Sequence, residues 1–485
     1  MSLSSVLHTV GRLCLVYAGL LLLPLVLVGL EGDLGTGAAW PFLMSAGVAA
    51  VAGLGLGFLC EMDREAFDFE EGFAVVTFSW VAFSLLGAMP YVISGAVPDI
   101  VDALFEASSG LTTTGASVLP DPAALGRPLL FWRALTHWVG GMGIVVLSIA
   151  ILPALGAGGS FLYGAESTGP GHDRPLGRIK DVAKMLWGVY VGLTLLEVVA
   201  LLVAGMDLFD AVCHSFATVA TGGFGTRSDS LASFGPAVQW VVTVFMVLAG
   251  LNYLMLLGLF RGRPGDLLRN TEARLWLGLL VVATVVGVLV LHADRGAPDG
   301  LEPLVRGVAL SVVSVSSTTG FAGEDFGLWP VPLQVLVLLL MVGGACTGST
   351  SGSAKMGRHI MWAKAAWREL QRLLRPTAVF VVKVGGRTVD DMVVTRSVAF
   401  LLFYLGSVAA GTLVLTFLGL GGLEGFTSMI TCLSGVGPGL GEVGPASNFA
   451  AVGDGAKCVL MGAMLLGRLE FFAILALLSP LAWRR

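Results

Sequence analysis

Ser316-Ser-Thr-Thr-Gly-Phe321 closes a run of small and hydroxyl residues in the middle of an apolar chain. The chain carries similar segments at Thr112-Thr-Thr-Gly-Ala116, Ala220-Thr-Gly-Gly-Phe224 and Ser434-Gly-Val-Gly-Pro438. Their aligned glycines, Gly115, Gly223, Gly320 and Gly437, stand 108, 97 and 117 residues apart. Near-even recurrence of one motif is the mark of a repeat architecture and outranks any local reading. Non-helical backbone at bilayer depth is tolerated only where protein buries it or where it lines a watery path. Carbonyls arranged in rings can replace the hydration shell of an alkali cation, and glycine permits the backbone conformations such a lining needs. The segments therefore predict four walls around one pore, with filter and cation-binding positions at Thr113, Thr114, Gly115, Thr221, Gly222, Gly223, Thr318, Thr319, Gly320, Gly435, Val436 and Gly437.

Composition places the chain in a membrane. Its 485 residues are 55% hydrophobic and only 13% charged, with a mean hydropathy of +0.86, and the long uncharged runs match bilayer-crossing helices. The 67 glycines suit close helix packing and irregular intramembrane turns. A net charge of −5 offers nothing toward nucleic-acid binding. Six scattered cysteines read as free thiols, without a disulfide framework or transition-metal site. The apolar run Leu13–Leu30 lacks a small-residue cleavage site and reads as a retained first span. No nucleophile–base pair appears, so an enzyme is not expected.

Ten spans are expected near 13–30, 40–60, 73–97, 129–155, 182–204, 238–260, 275–293, 331–372 (broken), 398–420 and 456–481. The expected fold is an all-α integral membrane protein of four fused span–pore-helix–span repeats around one pseudo-fourfold pore. Two extra transmembrane helices precede the repeats. The divisions are 1–72 for the N-terminal pair, then 73–165, 166–265, 266–390 (with a broken second helix) and 391–485. Within each repeat a short stretch precedes the Thr/Gly segment: Asp99–Leu111, Asp207–Val219, Glu302–Ser317 and Glu424–Leu433. All open on acids, which favour a helix's first turn, and all are too short to span. They read as re-entrant half-helices whose partly negative C-terminal ends face the cation path. The acids serve equally well as ordinary caps.

Lys and Arg cluster in the links between repeats, notably at Arg174, Arg178, Lys180 and Lys184, at Arg261, Arg263, Arg269 and Arg274, and from Lys355 to Arg396. The positive-inside rule makes those faces cytoplasmic and puts both termini inside. The acidic stretch Glu61–Glu71 falls on the same side, but acids contribute little to that rule. Asp121, Asp229, Glu324, Asp325 and Glu442 would then form an acidic outer vestibule, or simply solvated loops.

Two irregularities point to a gate. The run Gly343, Gly344, Ala345, Cys346, Thr347, Gly348, Ser349, Thr350, Ser351, Gly352, Ser353, Ala354 and Lys355 cannot sustain a helix or face lipid. Its place below the third filter segment suits a movable barrier. It is no nucleotide P-loop, because Gly-Lys-Ser/Thr and a preceding strand are both missing. Arg468 sits in an apolar stretch, and a charge there is a functional candidate. Glu470 is a poor helical partner two residues away, so Arg468 is expected to face the pore beneath the filter as a barrier to cations. Glu197 is a buried acid of possible use to an ion-coupled transporter, while His137 and His172 read as structural or solvated. Gly439-Leu-Gly-Glu-Val-Gly444 matches a dinucleotide fingerprint only by chance, since no strand precedes it.

Seven strings together resemble the superfamily of potassium transporters that includes the TrkH/TrkG, KtrB and HKT types. They are Ser109–Ser117, His137–Gly143, Ala220–Thr226, Ser317–Phe321, Gly348–Thr350 with Lys355, Ser434–Gly439 and Gly467–Glu470. The two additional N-terminal spans favour the TrkH type. The resemblance implies K+ uptake across the bacterial inner membrane through one gated pore per subunit. It also implies a homodimer in membrane lipid and a cytoplasmic nucleotide-binding regulatory subunit of the TrkA type. K+ is the transported ion, and no organic cofactor or nucleic acid is expected. Gly115, Gly223, Gly320 and Gly437 match filter glycines, Gly343–Lys355 the intramembrane gating loop, and Arg468 the pore arginine. Ser351 and Ser353 stand where relatives often carry glycine, which bears on how readily the loop moves. Symport of K+ with H+ or Na+ is the alternative mechanism.

Overall fold

The computed structural model describes residues 2–32, 37–61, 69–151, 175–263, 265–298 and 300–480. Arg174 and His172, the 165/166 division and most of the acidic stretch after Glu61 lie outside them.

The fold is helical and repeats four times. Each repeat has an outer helix, a short re-entrant helix and an inner helix. The outer helices are Phe69–Ile93, Pro175–Val203, Thr271–Arg295 and Asp391–Phe417. With the N-terminal Leu3–Leu30 and Trp40–Leu59, they supply the six segments among the described residues that are long and apolar enough to cross a membrane as single spans. The first begins at Leu3, ten residues before the run expected from hydropathy. The outer helix of the first repeat begins at Phe69, inside the stretch assigned to the N-terminal addition. The N-terminal pair packs through Gly11 and Gly53: a Cβ on either would lie within 3 Å of the other's carbonyl oxygen. Glycine makes so close a crossing possible. Tyr17 then stacks on Phe83 of the first outer helix.

The re-entrant helices are Ile100–Leu111, Leu208–Val219, Leu301–Ser316 and Gly422–Ser434. Asp99 and Asp207 cap the first two, their carboxylates accepting from backbone N–H groups of the first turn. This satisfies donors that a helix start leaves unpaired. Glu302 and Glu424 lie in the first turns of the other two.

The inner helices depart from simple spans. Among the described residues, only Arg127–Ile151, in repeat one, shows no break. The second, expected as one span over 238–260, is two helices, Pro236–Gly250 and Tyr253–Phe260, bent by 110° at Leu251-Asn252. Asn252 caps the new segment, its Oδ1 accepting from Leu254 N at 2.8 Å. The third breaks between Val331–Gly343 and Met356–Leu374. The fourth stops at Arg468, turns through Glu470 and Phe471 in left-handed conformation (φ 57° and 53°), and resumes over Phe472–Leu478. Arg468 therefore ends a helix and does not stand within one. A two-residue hairpin, Lys383–Val384 with Arg387–Thr388, follows the third inner helix.

The repeats close into a ring. Each inner helix packs against the next repeat's re-entrant helix, and the inner helix Asp454–Arg468 packs back on Ile100–Leu111 of the first. Lys457, buried in that last contact, reaches Asp102 and the Ala450 carbonyl.

Candidate functional site: four converging glycine segments and the loop beside them

The four Thr/Gly segments leave the re-entrant helices by one shared path. The N–H groups of Thr114, Gly222, Thr319 and Val436 each donate to the carbonyl five residues earlier, at 2.8 to 3.0 Å. Thr113, Thr221, Thr318 and Gly435 all take a left-handed conformation (φ 54°, 54°, 61° and 71°). Two residues on, Gly115, Gly223, Gly320 and Gly437 do so again (φ 81°, 79°, 84° and 100°). Positive φ at a β-branched threonine is a strained outlier, and strain of this kind gathers at functional sites. Its recurrence at three matching positions shows that it belongs to the repeat. In two segments a hydroxyl pair supports the turn, Thr112 with Thr114 and Ser317 with Thr319, each at 2.8 Å.

The segments meet in cyclic order. A Cβ on Gly115 would fall 2.1 Å from the Gly222 carbonyl oxygen, on Gly223 1.9 Å from that of Thr319, and on Gly320 1.8 Å from that of Val436. One on Gly437 would fall 2.8 Å from the Thr114 carbonyl oxygen, completing the circle. At this approach any side chain would displace backbone, so the four walls require glycine. All four glycines line one cavity of about 150 Å³.

That cavity departs from the expected acidic vestibule. Its charged lining residues are Arg133 and Arg227, and none of Asp121, Asp229, Glu324, Asp325 and Glu442 reaches it. Most of these acids have local work. Asp121 and Asp325 cap short turns, Glu324 pairs with Arg295 at 2.6 Å, and Asp229 accepts from Ser233. Arg133 of the cavity wall belongs to an ion pair that the sequence does not announce. Glu106, with no exposed surface, accepts from Arg133 Nε at 2.6 Å, from the Ser117 hydroxyl and from Val118 N. Arg133 also donates to the Gly225 carbonyl and lies over the Phe224 ring, joining the first two segments. His137 does similar work, its Nδ1 at 2.8 Å from the Gly110 carbonyl and its Nε2 accepting from Phe224 N. This fits its structural reading.

The glycine–serine run lies against the other side of the ring. Gly343 ends the preceding helix, and Gly344 to Lys355 form the irregular loop. Gly352 N donates to Thr318 Oγ1 at 2.8 Å, and the Thr350 hydroxyl donates to the Val219 carbonyl at 3.0 Å. Ser353 takes φ 64° and donates to the Met341 and Val342 carbonyls, so here serine adds bonds that glycine lacks. Cys346 and Ser349 are buried, and the Ser349 hydroxyl donates to the Cys346 carbonyl. Ala345 accepts from Met356 N, returning the chain to helix.

Arg468, 5% exposed, donates from Nη1 to the Thr350 carbonyl at 2.9 Å and from Nη2 to the Gly140 carbonyl at 3.1 Å. It thus ties the loop to the inner helix of repeat one. Glu470 turns away from it, toward Arg358 at 2.5 Å and Lys355 at 3.9 Å. Glu197 is wholly buried, its carboxyl beside the Thr218 side chain of the second re-entrant helix. Asn252 and Glu272, which sequence reasoning passed over, touch the loop directly. Asn252 Nδ2 donates to the Thr347 carbonyl at 2.7 Å, and Glu272 Oε1 accepts from Thr347 N at 2.6 Å. A lone asparagine in an apolar run, two residues past Gly250, is a capping signal that could have revealed the bend. Glu272 carries no comparable signal.

A ring of four strained, mutually abutting backbone segments inside a multi-pass helical fold defines the class: a membrane protein with one pseudo-fourfold pore. The comparisons agree. The TrkH family, described as a cation transport protein, matches residues 42–292 and 304–482. The chain is 36% identical over 489 residues to the Trk system potassium uptake protein TrkH of Escherichia coli (strain K12), covering all of both chains. It is 35% identical over 416 residues to the Trk system potassium uptake protein TrkI of Halomonas elongata, covering 85% of this chain and 84% of that one. The crystal structure of the potassium transporter TrkH from Vibrio parahaemolyticus superposes with a TM-score of 0.91 at 34% identity, covering 100% of each chain. The chain belongs to the TrkH family of cation transport proteins, which are not enzymes.

Proposed function

We propose that this protein takes up K+ across the bacterial inner membrane through a channel-like pore. Thr113–Gly115, Thr221–Gly223, Thr318–Gly320 and Gly435–Gly437 form its filter, and Gly343–Lys355 with Arg468 form its gate. Potassium uptake is the activity named for full-length relatives at 36% identity. The observation that carries the filter reading is the cyclic abutment of four glycines against neighbouring carbonyls. Four such segments can present backbone oxygens to one axis, as cation filters do. The gate reading rests on Arg468, whose charge lies below the ring and whose donors hold the loop. The basic links support a cytoplasmic position for both termini. A second copy of the chain, surrounding lipid and a TrkA-type regulatory subunit are its expected company.

Glu197 supports a second reading, symport with H+ or Na+, because a carboxyl buried within a membrane span is a usable ion relay. One experiment separates the two: flux of K+, Rb+, Na+ and Li+ into liposomes holding the purified protein, under imposed pH gradients. K+ and Rb+ flux that follows only the electrical driving force supports the channel. Uphill K+ movement driven by a pH or Na+ gradient refutes it and makes Glu197 the first residue to replace.

A further inference from the structure

The loop Gly344–Lys355 is held from two directions. Arg468, Thr318 and Val219 hold it on the pore side, as described above. On the far side it is joined to the bend in the second repeat's inner helix. Cys346 N donates to the Gly250 carbonyl at 3.0 Å, Asn252 Nδ2 to the Thr347 carbonyl at 2.7 Å, and Tyr253 N to the Gly348 carbonyl at 3.1 Å. Glu272, in the first turn of the third outer helix, completes the attachment. Its Oε1 accepts from both Thr347 N at 2.6 Å and Thr347 Oγ1 at 2.9 Å. The fit is tight: a Cβ on Gly348 would lie 2.6 Å from Asn252 Nδ2, and one on Gly357 2.6 Å from Thr347 Oγ1 and 3.0 Å from Glu272 Oε1.

An acid in a helix's first turn needs no special role, since the dipole favours it there. Glu272 differs in where its oxygen goes. It leaves its own helix and takes two donors from a loop 75 residues away. Hydrogen bonds to a carboxylate are among the strong ones, and they act on the middle of the far-side attachment. Asn252 is equally divided, its Oδ1 capping the helix Tyr253–Phe260 and its Nδ2 gripping the loop.

We infer that Glu272 and Asn252 are positioning residues that clamp Thr347, and that through them the intramembrane loop and the bent arm Tyr253–Phe260 shift as one unit. Displacing the arm then draws the loop from beneath the ring, and releasing the clamp weakens the far-side attachment, leaving the loop to its backbone bonds with Gly250 and Tyr253 and to the pore-side contacts of Arg468, Thr318 and Val219. The consequence for flux rests on the gate reading above; the clamp itself does not.

Cys346 provides a probe within the loop, because it is free and has no exposed surface. The experiment uses the full chain with Cys14, Cys60, Cys213, Cys432 and Cys458 replaced by alanine, in liposomes. Two quantities are read: the rate at which a charged methanethiosulfonate modifies Cys346, and basal K+ flux. Glu272→Ala is expected to speed modification by about tenfold or more, tenfold being the weight of one charged hydrogen bond at the weak end of its range. Glu272→Gln, which keeps an acceptor, stays near the parent. Asn252→Asp preserves the cap but loses the donor to Thr347, and is expected to behave like Glu272→Ala. Faster modification in Glu272→Ala and Asn252→Asp with rescue in Glu272→Gln supports the clamp. Unchanged modification in folded Glu272→Ala and Asn252→Asp overturns it. Faster modification with unchanged flux keeps the clamp and removes the loop from the role of gate.

Discussion

Replacing Gly320 by alanine puts one methyl group where the ring has least room. The added Cβ falls 1.8 Å from the Val436 carbonyl oxygen and 3.3 Å from the Pro438 ring. Relief requires the two walls to separate by more than about 1 Å, twice the roughly 0.5 Å within which a preorganised site must be held. Two costs add. Left-handed backbone (φ 84°) disfavours alanine by about 1–2 kcal/mol, and forced overpacking costs about 1–3 kcal/mol. The strain falls on backbone that has no rotamer to change, so it emerges as displaced carbonyls. K+ flux in liposomes should fall by about tenfold or more, or the preference for K+ over Na+ should narrow by a similar factor, given 1.4 kcal/mol per decade. The severity should be graded: Gly223→Ala close to Gly320→Ala, Gly115→Ala somewhat milder, and Gly437→Ala mildest, following Cβ contacts of 1.9, 2.1 and 2.8 Å. Gly435→Ala is the control, since its Cβ would meet nothing within 4 Å. Parental K+ and Na+ flux in folded, inserted Gly320→Ala protein would refute the filter assignment.

Other outcomes follow from the same geometry. Gly435→Thr installs the residue type found at the matching positions of the other three repeats and should leave flux within about threefold of parent, despite roughly 1–2 kcal/mol of backbone strain; complete loss of flux in folded protein would contradict the equivalence of the four segments. Arg468→Ala removes the bonds to Thr350 and Gly140 and should raise basal K+ flux; if flux disappears in a correctly inserted variant, the barrier role is wrong. Glu106→Ala strands the buried Arg133 and should cost about 3–5 kcal/mol, read as a large fall in Tm, while removing both charges together should cost less. Ser353→Gly exchanges two hydrogen bonds for relief of a positive φ, and should loosen the loop, with basal flux as the measurement.

Much of this fold was legible because its rules are local. A bilayer demands long apolar helices, so the outer spans could be read from composition. Short acid-headed stretches followed by Thr/Gly segments marked the four re-entrant helices within one or two residues. The positive φ at the threonines was less visible, because threonine is a poor choice there and only the surrounding ring holds it. The breaks in the inner helices were half legible. Glycine and serine betrayed the one after Gly343, whereas Asn252 and Arg468 sit in runs as apolar as any span. Hydropathy averages over a window and cannot register a single capping residue or one left-handed turn.

The sequence alone determined the repeat count, the membrane setting, the filter candidates and the two candidate gate elements, because each depends on residue type and near-even spacing. Tertiary structure decided which groups meet. Glu106 finds Arg133, Glu470 finds Arg358, Glu272 finds Thr347, and Arg468 finds carbonyls of two different repeats. It also decided that Gly115, Gly223, Gly320 and Gly437 form one closed circle. Such partnerships span tens to hundreds of residues and depend on distance and direction in the folded ring, where an ångström separates a bond from a clash; spacing along a chain holds no record of that.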